Sequence, residues 1–193
     1  DNKNNLYLNN GTLNSKIEGD GKTIINGDVL TLGKKASISG TLNLNNKSIS
    51  TVDGSYTNYI INSITGDGKA TIDVDWANSK ADTFQSTSGT GTIALTLDAT
   101  STAGIYETKT IQITSGGVGI SLAEQTGTKT KTETETSTNY YCVDSTGKQS
   151  ALFKTKDSII KANYFDTEYW DTSQSSQLSL KGITPPNLTS IDS

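Results

Sequence analysis

Three short segments of this chain open on the same step: an isoleucine, a polar residue and a glycine. They are Ile17-Glu18-Gly19, Ile38-Ser39-Gly40 and Ile64-Thr65-Gly66, beginning 21 and 26 residues apart. Each runs on into a stretch of alternating character: Thr23-Ile24-Ile25-Asn26, Leu42-Asn43-Leu44-Asn45 and Ala70-Thr71-Ile72-Asp73. Alternation with a period of two marks a strand with one buried face. A unit this small cannot bury that face alone, so such units stack and share a core. The expected fold is all-β, a right-handed parallel β-helix (β-solenoid) over residues 1–115. The alignment predicts one interior column of Ile25, Leu44 and Ile72, and one corner of Asn26, Asn45 and Asp73.

Composition agrees with a thin core. Hydrophobic residues are 32% of the 193, and Thr, Ser, Gly and Asn make up nearly half. A few aliphatic residues per coil suffice where each backbone pairs with the coils above and below. Gly and Asn supply the tight or left-handed corners. An antiparallel sandwich also has many short strands, but it gives no reason for the near-repeat. After about residue 100 the Asn-Gly corners thin out, and aromatics gather in residues 140–170: Tyr140, Tyr141, Phe153, Tyr164, Phe165, Tyr169 and Trp170. Residues 116–183 read as a β-rich, irregular and partly antiparallel cap. Tyr140 or Phe153 is expected to plug the open core. Residues 184–193, with Pro185-Pro186, read as an exposed tail or linker.

The same composition excludes several chemistries. The chain has no His, so Ser–His–Asp catalysis and His metal sites are absent. It has no Arg, so nothing clamps carboxylate or phosphate bidentately. A net charge of −4 with scattered Lys gives no footprint for nucleic acid. No apolar run is long enough to span a membrane as a helix. Cys142 stands alone and reads as a small buried hydrophobe.

The run Ile64-Thr-Gly-Asp-Gly-Lys-Ala-Thr-Ile-Asp-Val-Asp-Trp76, followed by Lys80-Ala81-Asp82-Thr83-Phe84 and Ser88-Gly-Thr-Gly-Thr-Ile-Ala-Leu95, resembles the passenger region of pertactin-like bacterial autotransporters. The upstream Gly27-Asp28-Val29-Leu30-Thr31-Leu32 and Ile38-Ser39-Gly40-Thr41-Leu42-Asn43-Leu44 are similar to coils of that family. The likeness covers residues 10–115. It implies a secreted, extracellular fragment displayed on the bacterial cell surface, an adhesin whose role is structural display and binding. Its partner would be a host-cell, matrix or glycan receptor. The alternatives are a carbohydrate-binding or carbohydrate-active β-helix domain, and a pilin-like or Ig-like surface module.

The chemistry-bearing candidates are few. Asp73 and Asp75 alternate on one strand, with Asp82 and Asp98 near in sequence, and paired carboxylates can hydrolyse glycosidic bonds. Nothing else in the chain supports such a site, so these residues are expected on a solvated face and no enzyme is expected. Asp20 and Asp67 sit in Gly-Asp-Gly-Lys, where the adjacent lysine disfavours a cation and a tight turn is expected. Gly116-Gly117-Val118-Gly119 lacks the helix and lysine of a phosphate loop. No metal or cofactor is indicated. Tyr164, Asp166, Glu168, Tyr169 and Trp170 could stack on and hydrogen-bond a sugar, or fill the cap. In Thr126–Thr138, period two places Lys129, Lys131, Glu133 and Glu135 on one face. Reversed about Thr132, the charges complement. The strand is therefore either a charge-guarded hairpin arm or edge, or a site of weak self-association.

Overall fold

The computed structural model describes residues 3–75, 78–99, 110–123 and 175–180. It also describes short strands between 128 and 171, of which only the backbone pairing is described. Two sheets of parallel strands dominate. The first holds β1 (Asn5–Leu8), β3 (Lys16–Ile17), β4 (Lys22–Ile25), β6 (Ser37–Asn43), β8 (Asn58–Thr65), β11 (Thr83–Gln85) and β12 (Ser88–Gly89). The second holds β2 (Gly11–Leu13), β5 (Val29–Leu32), β7 (Ser48–Ser50), β9 (Asp67–Asp75), β10 (Lys80–Ala81), β13 (Thr92–Ala99) and β15 (Gly119–Leu122). The chain passes between the sheets at every coil and makes a β-solenoid of about four turns. Among these strands only β10 pairs antiparallel, against β9.

The stacking is legible as columns. In the second sheet Gly11, Leu30, Ile49, Ala70, Leu95 and Leu122 stand opposite one another in succession. Their intervals are 19, 19, 21, 25 and 27 residues, so the coils lengthen along the chain. In the first sheet Leu6, Thr23, Leu42, Ile64 and Gly89 form one column. Ile17, Ile38 and Ile61 form a second. Leu30, Ile38, Leu42, Ile49, Ile61, Ile64, Ala70 and Leu95 are buried in one continuous core.

The expected column is half present. Ile25 pairs with Leu8 and is followed in the next coil by Leu44, and both are fully buried. Ile72 lies in the other sheet, opposite Leu97. The corner behaves likewise. Asn26 donates to Asn9 Oδ1 at 2.9 Å, and Asn45, at φ 52°, donates to the Ile25 carbonyl at 2.9 Å. Asp73 stands opposite Asp98 within a sheet instead. The reason is that Gly-Asp-Gly marks a corner without saying which corner. Gly19 (φ 93°) bends the chain between β3 and β4 inside the first sheet. Gly66 (φ 73°) turns it from β8 into β9, between the sheets. The true partner of Ile38 is Ile61, three residues before Ile64.

The end after β15 is closed. In a third sheet β14 (Thr110–Gln112) and β21 (Trp170–Asp171) both pair antiparallel with β22 (Gln177–Leu180). Leu178 is buried in the solenoid core. Ser175 accepts from Ile120 N at 2.6 Å, and Ser176 accepts from Ile113 N at 2.9 Å. The segment thus crosses the last coil and blocks further parallel stacking. Two small antiparallel sheets remain: β16 (Thr128–Glu133), β17 (Thr138–Val143) and β18 (Gln149–Ser150), and the pair β19 (Phe153–Lys154) and β20 (Ile159–Ile160). The side chains of Tyr140 and Phe153, expected to plug the core, lie outside the described residues, as do residues 184–193.

Candidate functional site: an axial groove and a buried carboxylate latch

Strand alternation decides what the first sheet shows to solvent. In Tyr59-Ile60-Ile61 of β8, Tyr59 and Ile61 point inward and are buried, which forces Ile60 outward, 57% exposed. Register then stacks Lys16, Ser37, Ile60 and Gln85 in one outward column. The β6–β8 register shifts between Ile38 and Thr41, an irregularity that bends the sheet beside this column. Beside it lies a groove of about 530 Å³ lined by Lys16, Ser37, Ile38, Ser39, Ile60, Asn62, Gln85, Ser86 and Thr87.

The groove therefore runs along the solenoid axis and crosses four rungs, spaced about 4.8 Å apart as in any sheet. Ile38 and Ile60 give it an apolar part, and the amides and hydroxyls beside them both donate and accept. The Thr87 hydroxyl bonds to the Asn62 carbonyl at 2.8 Å, and Gln85 Oε1 accepts from Asn58 Nδ2 at 2.7 Å. Ser86 is buried, and its Oγ has no hydrogen-bond partner. Lys16, paired with Glu18 at 3.4 Å, is the one charged residue of the lining. None of these residues stood out as a site in the sequence. The available signal was the Ile60-Ile61 pair, since an alternating strand cannot bury both.

The carboxylates lie elsewhere and do different work. Asp73 and Asp82 were expected on a solvated face, yet both are buried. Backbone amides offset the burial of Asp82 and of one oxygen of Asp73, whose buried Oδ1 has no hydrogen-bond partner. Asp73 Oδ2 accepts from Asp53 N at 2.8 Å and Gly54 N at 2.9 Å. Asp82 Oδ1 accepts from Thr57 N at 2.9 Å. Asp82 Oδ2 accepts from Asp73 N at 2.9 Å and the Thr51 hydroxyl at 2.7 Å. The two carboxylates thus pin the 51–57 connection between β7 and β8 onto the coil. Burial pushes the Asp82 carboxyl above its usual range, against the opposing pull of these hydrogen bonds. Exposed Asp53 moves the other way, held low chiefly by the Ser55 hydroxyl. Beside the latch Tyr59 stacks on Phe84 with ring centroids 5.9 Å apart, and burial raises its phenol to about 12. Asp75 accepts from Asn78 Nδ2 at 2.7 Å at a turn. This arrangement fixes a loop and offers no pair of carboxylates across an open cleft.

Asp20 and Asp67 are not brought together, since their turns occupy different corners. Tyr164, Asp166, Glu168, Tyr169 and Glu135 lie outside the described residues. Trp170 is placed only by its backbone pairing with Leu180. Lys129, Lys131 and Glu133 lie on β16, opposite Cys142, Tyr140 and Thr138 of β17. That strand is an arm of a hairpin and an edge of its sheet. No protein-family model matches the chain, and no curated protein matches it either.

Proposed function

We propose that the chain is part of a β-helical surface passenger of the pertactin-like kind. In this reading it is carried outside the bacterial cell as an adhesin and binds a hydroxyl-rich glycan along the axial groove. The observation that carries this reading is the groove itself. Its polar groups repeat at the rung spacing, close to the length of one hexose in an extended chain, and Ile60 offers an apolar floor for a sugar face. Ligand sites of this kind set a few polar groups in an otherwise apolar cleft. A single lysine in the lining favours a neutral or weakly acidic polymer over a phosphate-rich one.

Binding is read by titrating immobilised neutral and uronic-acid polysaccharides with the full chain. Asn62→Ala with Gln85→Ala is expected to weaken retention at least tenfold while leaving the melting curve unchanged. Equal retention by the double variant overturns the groove as the site. Saccharide release would support the enzymatic alternative, and it would have to disappear in Asp73→Asn or Asp75→Asn. The latch geometry argues for no release.

A further inference from the structure

Within the groove, the chain's own hydrogen bonds use up acceptors and leave donors over. Asn58 Oδ1 accepts from the Thr83 hydroxyl at 2.8 Å, and Asn58 Nδ2 donates to Gln85 Oε1 at 2.7 Å. This relay orients the Gln85 amide, whose Nε2 has no partner among the described residues. Asn62 is held the same way. Its carbonyl and its Oδ1 both accept from the Thr87 hydroxyl, and its Nδ2 is left over. Lys16 carries an ammonium, which only donates. Its partner Glu18 forms an exposed pair with it, 55% and 66% accessible, and a pair of this kind holds weakly. The Ser37 and Ser39 hydroxyls rotate to either role. No carboxylate lines the groove, and both of its side-chain amide oxygens are already engaged. The lining is therefore rich in free donors and short of acceptors.

We propose that the groove selects a glycan whose sugars carry carboxylates, a polyuronate, an inference that rests on the reading of the groove as a glycan site. A neutral sugar presents hydroxyls, and their own protons find few acceptors in this lining. An ionised carboxylate only accepts, through two oxygens. Its hydrogen bonds to an ammonium or amide are charge-assisted and shorter and stronger than neutral ones. The donors are spread along the axis. Lys16 and Gln85 end the outward column, three rungs or about 14 Å apart. Asn62 shares β8 with Ile60, two rungs from Lys16. An extended chain with about one sugar per rung brings one carboxylate to Lys16 and further ones to Asn62 and Gln85, with a ring over Ile60. The net charge of the protein is −4, so no general field draws in a polyanion. Discrimination must come from these local donors.

The test titrates the full chain against an immobilised polyuronate and against the same polymer with its carboxyls reduced to primary alcohols. The wild type is expected to hold the polyuronate about tenfold more tightly or better. Lys16→Gln removes the ammonium. Gln85→Glu replaces the free donor by an acceptor and keeps the bond from Asn58. Each is expected to cut retention of the polyuronate about tenfold and to leave that of the reduced polymer within about twofold. Lys35→Gln makes the same charge change at an exposed lysine outside the groove and is expected to alter neither. Equal retention of the two polymers by the wild type overturns the carboxylate preference and leaves the glycan groove standing. So does a preference that survives both groove variants, or one that falls as far in Lys35→Gln. Retention of neither polymer also overturns the preference, and the glycan reading falls with it when the neutral polysaccharides are not retained either.

Discussion

Thr23 and Asp82 are both buried polar residues of this core, and they act in opposite directions. Thr23 occupies a column of aliphatic residues, and its hydroxyl has no partner. Replacing it by valine keeps the shape and removes the unsatisfied group, so Thr23→Val is expected to stabilise the fold by about 1 kcal/mol or more. Urea unfolding checks this, and a loss of stability would mean that the hydroxyl is bonded. Asp82 is fully satisfied, and Asp82→Asn turns an acceptor toward the donors of Asp73 and Thr51 into a donor. It is expected to cost about 1–3 kcal/mol at pH 7. Its raised pKa also sets a pH dependence. The folded state holds the proton more tightly than the unfolded chain, whose value is 3.8. The stabilisation from Asp82 is therefore complete below 3.8 and is lost as pH rises through the folded value. Thr51 can accommodate both states, because its hydroxyl lies within reach of the Thr71 carbonyl at 3.2 Å as well as of Asp82. Urea midpoints measured from pH 7 down to pH 4 should show a gain on acidification that shrinks in Asp82→Asn. An identical pH profile in the two proteins would contradict the assignment.

Corners and ends decide how the strands of this solenoid assemble. Gly66 has φ 73°, and an added Cβ would meet Asn43 Oδ1 at 2.7 Å. Gly66→Ala is expected to cost about 1–3 kcal/mol, read as a fall in the urea midpoint. β22 is the cap, and Leu178 is its buried anchor. Leu178→Asp is expected to uncover β15 and the last coil, and to give concentration-dependent scattering at temperatures where the wild type stays clear. A clear, native-like Leu178→Asp would mean that the end is closed by other residues. The sequence announced strands, because alternation such as Val29-Leu30-Thr31-Leu32 has a period of two whatever lies beside it. It announced corners for the same local reason. It did not announce which corner each Gly-Asp-Gly makes, because that depends on the coil below. Nor did it announce that Ser175–Leu180 folds back over β14 and β15, because such pairing joins residues more than fifty positions apart.

For the whole molecule, a solenoid core runs the length of the stack, and its lateral faces are set by register. That is why the fold class could be read from a near-repeat of about twenty residues, while the groove could not. The groove needs Lys16, Ser37, Ile60 and Gln85 at the same height around the coil, and unequal coil lengths hide this from simple alignment. Asp73 and Asp82 were equally hidden, since their burial depends on amides of a loop that reaches them across the coil. All of these readings rest on one claim, the parallel in-register stacking of successive coils. Thr31 of β5 and Ser50 of β7 are opposite one another in adjacent rungs. Their Cα atoms are about 4.8 Å apart by strand spacing, within the range a disulfide spans. The most direct measurement is oxidation of Thr31→Cys/Ser50→Cys in a Cys142→Ser background, beside the control pair Thr31→Cys/Ser63→Cys, which joins residues of opposite sheets. The account predicts complete intramolecular cross-linking of the first pair with the fold retained, and none of the second. Failure of the first pair, or equal cross-linking of both, would contradict the stacking.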